Sequence, residues 1–171
     1  MQGLPKYATD IRVRTRIEHT VSQILSHAEK VYEATHSRSA AARSRLAASW
    51  QRSVLKFGLD PNEKRAPERV EQATVYQKLA AMEKFMVVAA PRLGNLFKLV
   101  GLSGCAVFLT DAQGVILDQR LTSVDKGAFD DWGLSVGADW SEAREGTNGI
   151  GTCLAEQRKI IILRDQHFYS R

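Results

Sequence analysis

The sequence predicts an α+β fold in which helices come first and an antiparallel hairpin, a glycine-rich loop and a last apolar strand follow. Three observations carry this. Residues 9–36 hold neither Gly nor Pro and place Ile17, Val21, Ile24, Ala28 and Val31 at heptad spacing, the pattern of one helix face. Two short β-favouring runs flank the turn Asp111-Ala112-Gln113-Gly114. The chain between 137 and 151 is polar and glycine-rich, and Lys159-Ile160-Ile161-Ile162-Leu163 follows it as an apolar run.

The helix over 9–36 widens its seam with Leu25 and Tyr32, so it is suited to pack on the rest of the chain or on a second copy. A second helix is expected over 39–57, capped by Ser37 or Ser39, with Leu46, Trp50, Val54 and Phe57 on its apolar face. Gly58 and Asp60-Pro61 stop it. Residues 61–66 are polar and form the best linker. A third helix is expected from Pro67, a residue suited to the first helical position, and to kink or break at Pro91. A last helical piece, 93–100, leads to Gly101. Residues 105–110 and 115–118 then form the hairpin, and 124–132 one or two helical turns ended near Gly133. A short helix over 150–157 is capped by Thr147 or Asn148, and 159–163 is the closing strand.

Composition bounds the function. With 171 residues, 44% hydrophobic and 25% charged, the chain has the balance of a folded protein. Twelve Gly, four Pro and two Cys exclude collagenous, low-complexity and disulfide-scaffold classes. The longest purely apolar run, residues 85–90, is far short of the roughly 20 residues of a membrane span. Two unpatterned cysteines and no secretion signal lead to the expectation of a cytoplasmic protein without membrane contact. The net charge of +5 is uneven: residues 1–70 hold 13 Lys and Arg against 7 Asp and Glu, and residues 71–171 hold 11 against 12. One reading of that excess is a nucleic-acid-binding helical protein that uses its basic N-terminal half. The other is a solvated helical face.

The segment from Trp140 to Thr152 is the most distinctive. Gly146, Gly149 and Gly151 permit close backbone approach, and Thr147, Asn148 and Thr152 put short polar side chains at a helix start. The loop has no Gly-Lys-Ser/Thr ending and no dinucleotide glycine spacing, so it is neither a Walker loop nor a Rossmann fingerprint. A polar-ligand site and a structural loop that closes a helix are both open on residue chemistry alone. No catalytic constellation or metal-ligand spacing is found. Glu142 and Glu145 sit in this loop without a matching pair, Cys105 and Cys153 read as core, and His167 reads as a hydrogen-bonded loop residue. The expectation is a non-enzyme with no cofactor.

These segments together resemble a known family. Ser49-Trp50-Gln51-Arg52-Ser53 with Gly58-Leu59-Asp60-Pro61 resembles the N-terminal signature of the acetoin-type bacterial transcription activators. So do Val107-Phe108-Leu109-Thr110-Asp111 with Gly114, Trp140-Ser141-Glu142 with Gly146-Thr147-Asn148-Gly149-Ile150-Gly151-Thr152, and Asp165-Gln166-His167-Phe168. The resemblance runs from about Leu46 to the C-terminus. It implies a GAF sensory domain joined, elsewhere in such regulators, to a sigma-54-dependent ATPase or directly to a Fis-type helix-turn-helix. Residues 1–66 are then an N-terminal helical region read from its residue pattern, and the resemblance implies an incomplete GAF-like antiparallel sheet with packed helices in 67–171. It implies a pocket for a small molecule or a protein effector at Phe108, Trp140, Thr147, Asn148 and Thr152, and DNA contact only through a further domain. A GAF sheet continues past His167 with more strands and a helix. The expectation is therefore an N-terminal piece of a longer regulator, or a sheet completed by another chain, with an exposed edge at Ile160–Leu163 that favours a dimer.

Overall fold

The structure is a computed structural model that describes residues 26–37, 39 and 44–169. Helix α1, His27–His36, begins at a capping box: the Ser26 hydroxyl accepts from the Glu29 N–H, and the Glu29 carboxylate accepts from the Ser26 N–H at 2.7 Å. Ala28 and Val31 of the heptad face are buried. Ile17, Val21, Ile24 and Leu25 lie outside the described residues.

Helix α2 is Arg45–Gln51, and its cap is Ser44 rather than the expected Ser37 or Ser39. It runs on as a π-helix, Arg52–Lys56, that ends at Gly58 with φ +67°. Helix α3, Gln72–Ala81, starts later than the expected Pro67. The reason is pairing: Val70 N–H donates to Gly137 O and Asp139 N–H to Glu68 O, so residues 68–70 are extended. Helix α4, Glu83–Val100, carries Pro91 inside it without a break.

Strands β1, Val107–Thr110, and β2, Ile116–Arg120, pair antiparallel with an irregularity between Leu109 and Thr110. The turn between them is built by Asp111. Its carboxylate accepts from the N–H groups of Gln113 and Val115, both at 2.9 Å, and from Lys78 Nζ at 2.5 Å. Two isolated antiparallel bridges, Val115↔Asp139 and Arg69↔Ala138, carry the sheet direction outward from β2. The α+β organisation, helices first and an antiparallel hairpin after, is thus the observed one.

Helix α5 is Lys126–Asp131, α6 the single turn Glu142–Glu145, and α7 Gly151–Glu156. The expected strand at Ile160–Leu163 is not one: these residues are extended without a ladder, and the chain then enters a 3₁₀ turn, Arg164–Gln166. A β-favouring composition makes a strand only where a neighbour offers an edge, and no such neighbour stands beside it among the described residues. Cys105 is exposed and Cys153 half-buried, so neither is a core residue.

Two apolar clusters hold the molecule. Val31, Phe168 and Tyr169 pack with Trp50, Val54 and Leu59, which ties the first helices to the end of the described chain. Ile116, Ala138 and Trp140 pack with Phe108, Leu134, Val136 and Ile150 beneath the hairpin. Helix α4 has no buried residue; Phe85, Val87, Val88, Leu96 and Leu99 on it are exposed. By length and composition it is long and apolar enough to cross a membrane. It also packs on both strands of the hairpin, and Arg92 lies at its middle, where a bilayer would penalise a charge.

Candidate functional site

The loop from Trp140 to Thr152 lies between the two apolar clusters and is held by a buried polar network. Ser49, on α2, is fully buried and donates its hydroxyl proton to Glu142 Oε1. Its oxygen lies 2.6 Å from Thr147 Oγ1 and 3.2 Å from Thr152 Oγ1. Thr152 also reaches Glu142 Oε1 at 3.1 Å. Arg52, one turn further along the helix, closes on the same carboxylate with both arms of its fork: Nε to Oε2 at 2.8 Å and Nη2 to Oε1 at 3.0 Å. A second carboxylate, Glu156 on α7, is 2.9 Å from Arg52 Nη2. The carboxylate bonds raise the already high Arg52 pKa further, so this cation is permanent.

The π-helical turn follows directly from this contact. Ser53 bonds back to Ser49 O at 2.9 Å and its own carbonyl accepts from Leu59 N–H at 3.0 Å. Trp50 donates its indole N–H to Gln166 O at 3.1 Å, and Gln51 donates to Thr35 O. Each residue of the Ser-Trp-Gln-Arg-Ser run therefore has a hydrogen-bond partner, Ser49 and Arg52 sharing Glu142. The run is a clamp that fastens α2 to the loop, to α1 and to the end of the chain, across the boundary expected at Ala66.

Asn148 organises the loop itself. Its carboxamide oxygen accepts from Ile150 and Gly151 N–H at 2.9 and 2.8 Å, which caps α7. Its amide donates to Trp140 O and Gly146 O. All its hydrogen-bonding capacity is thus spent on backbone. Two glycines permit this closure. A Cβ on Gly151 would lie 2.3 Å from Glu142 N, and one on Gly146, whose φ is +60° and ψ −150°, would lie 2.4 Å from Phe168 Cγ.

Against this loop lies a cavity of about 420 Å³ lined by Trp132, Leu134, Trp140, Glu145, Thr147, Asn148, Arg164, His167 and Tyr169. Its size falls within the range of about 300–1,000 Å³ of small-molecule sites. Glu145 is buried and has Arg65 Nη2 at 3.9 Å. The Arg65 guanidinium also stacks over the Tyr169 ring, 5.5 Å from its centre. Burial pushes the Tyr169 hydroxyl pKa up, while Arg65 pulls the other way. The Trp140 indole N–H donates to Gly133 O at 3.0 Å.

Of the five residues singled out in the sequence, Trp140, Thr147 and Asn148 meet on one cavity wall. Thr152 lies behind that wall, in the hydroxyl network. Phe108 is under the hairpin, edge-on to Phe129, and does not line the cavity. The sequence reading missed Glu142, the centre of the network. A signal existed: Arg52 has Ala48 and Lys56 at its i±4 positions, so its carboxylate had to come from elsewhere in the fold. The basic excess of the N-terminal half is partly consumed in the same way. Arg45, Arg52 and Arg65 all face carboxylates, and Arg69 donates to Val136 O.

The chain is 33% identical over 120 residues to the acetoin catabolism regulatory protein of Cupriavidus necator, covering 70% of this chain and 18% of that protein. It is 28% identical over 128 residues to the acetoin dehydrogenase operon transcriptional activator AcoR of Bacillus subtilis, covering 74% and 21%. It therefore spans about a fifth of the length of these relatives. The propane 2-monooxygenase operon transcriptional activator MimR of Mycolicibacterium smegmatis is 33% identical over 84 residues, 48% of this chain and 14% of that one. In fold, the chain is similar to a solved chain in the complex of E. coli DhaR(N) with DhaL, with a TM-score of 0.67 at 18% identity over 74% of this chain and 42% of that one. The family model described as "MimR, N-terminal domain" matches residues 20–171, so the chain belongs to that family of transcription-activator N-terminal domains.

Proposed function

We propose that this chain is the sensory module of a bacterial transcription activator, with a small molecule bound in the cavity between the Trp140–Thr152 loop and residues 164–169. The observation that carries the reading is the double use of Thr147: it lines the cavity and is hydrogen-bonded to Ser49 of α2. Whatever fills the cavity presses on a wall that is wired to the N-terminal helices. In this reading residues 67–171 sense and residues 1–66 relay. The effector, an ATPase with a helix-turn-helix or a helix-turn-helix alone, lies in further sequence and makes the DNA contact. The module works in the cytoplasm, as a dimer and without catalysis of its own. Thermal denaturation against a library of small metabolites tests it, since a ligand bound only by the folded form raises the melting temperature. A compound that raises it should lose that effect in a Trp140→Ala variant. An unchanged effect in that variant overturns the assignment of the cavity.

A second reading replaces the small molecule by a protein. DhaR(N), similar in fold, is found in a complex with DhaL. Pull-down by this chain of a partner whose binding survives Trp140→Ala favours it.

A further inference from the structure

We propose that the cavity takes a small organic carboxylate with an apolar body, its charge held by Arg164. This rests on the small-molecule reading above and narrows it to one ligand chemistry. Four walls are apolar or aromatic: Trp132, Leu134, Trp140 and the ring of Tyr169. The hydrogen-bonding atoms of Asn148 are committed to backbone, and the Thr147 hydroxyl is committed to Ser49. They therefore shape the wall without selecting a polar group. Glu145 is buried and paired with Arg65, a cation it shares with Glu63 and Glu68, whereas the exposed Arg164 makes no ion pair among the described residues. Arg164 is thus an unpaired cation in the lining of an apolar space, and a guanidinium so placed binds a carboxylate by a forked, charge-assisted contact.

Two further features point the same way. Arg164 sits at φ +41°, a conformation uncommon for a residue with a side chain, and such backbone is concentrated at ligand sites. His167 donates its Nδ1–H to Arg164 O at 3.1 Å, which fixes its ring against the same turn.

The test is isothermal titration calorimetry of the whole chain with matched probes, benzoate against benzyl alcohol and hexanoate against hexanol, repeated with Arg164→Gln. The expected result is that each acid binds at least tenfold more tightly than its alcohol and that Arg164→Gln removes the preference while leaving the melting temperature unchanged. Equal binding of acids and alcohols, insensitive to Arg164→Gln but lost in Trp140→Ala, overturns the carboxylate assignment and leaves the cavity as a binding site. Acid preference that persists in Arg164→Gln overturns the role of this residue. Failure of all four probes to bind at millimolar concentration overturns the inference, while a neutral metabolite that raises the melting temperature through Trp140 would still uphold the site.

Discussion

The Trp140–Thr152 loop and helix α4 invert each other. The loop is among the most polar parts of the sequence, yet its polar side chains Glu142, Thr147, Asn148 and Thr152, with Ser49 of α2, are only 0–5% exposed. Helix α4 is the most apolar stretch, and none of its residues is buried. Burial here follows the availability of partners as much as polarity. The loop's hydroxyls, carboxylate and amide find each other at hydrogen-bond distance, so desolvation is offset bond by bond. Among the described residues helix α4 meets the hairpin, α3 and the turn at 101–103, which leave all of its side chains at least partly exposed. An apolar stretch so exposed is unusual on a folded chain.

The strongest way to break this comparison is to force a side chain into the loop. Gly146→Ala sets a Cβ against the Phe168 ring on backbone that only glycine adopts with ease. We expect a loss of about 3–5 kcal/mol. Urea unfolding measures it, and a change under about 1 kcal/mol would show that the Phe168 wall is free to move. Next is Glu142→Ala, which leaves Arg52 and the hydroxyls of Ser49 and Thr152 without their shared acceptor. A loss of about 3 kcal/mol is expected. The Glu142→Ala, Arg52→Ala double variant should lose less than the two single losses added together, because the two residues form one unit. Strict additivity in the same unfolding assay would dissolve the network into independent contacts.

A smaller effect is expected at the edge of the hairpin. Asp111→Ala removes the acceptor for two backbone N–H groups and the Lys78 ammonium, at about 2 kcal/mol. Amide exchange at Gln113 and Val115 should accelerate with it, and protection that stays native-like would show the turn held by other means. The smallest effect belongs to the apolar side. Leu99 is 81% exposed and Leu102 99%, so Leu99→Ser with Leu102→Ser should shift monomer stability by no more than about 0.5 kcal/mol. A melting temperature that falls as steeply as for Glu142→Ala would show that this face is covered in solution.

Much of the fold was legible because local rules governed it. The Asp111–Gly114 turn, the Gly58 stop and the Asn148 cap each follow from one side chain and its nearest backbone. What local rules missed depended on distant partners. Pro67 marks a helix start by propensity, yet residues 68–70 were drawn into pairing with 137–139, sixty-odd positions away. Ile160–Leu163 has strand composition but no edge to join. The five site residues split for the same reason. Glycine spacing and short polar residues identify a tightly closed loop, but whether a side chain faces a cavity or a neighbouring helix depends on where Ser49 and Arg52 arrive. The Ser-Trp-Gln-Arg-Ser run was recognisable by resemblance alone, since its partners at positions 35, 142, 156 and 166 lie outside any local window.

The three tryptophans of the chain are Trp50, Trp132 and Trp140. Two line the cavity and the third is bonded to the carbonyl of Gln166, between Arg164 and His167. Every indole in the molecule thus stands within or directly behind the same small space. The ultraviolet emission of this chain therefore arises from residues in or near that space, so a ligand that entered the proposed site would be expected to change its intensity and wavelength with no label attached.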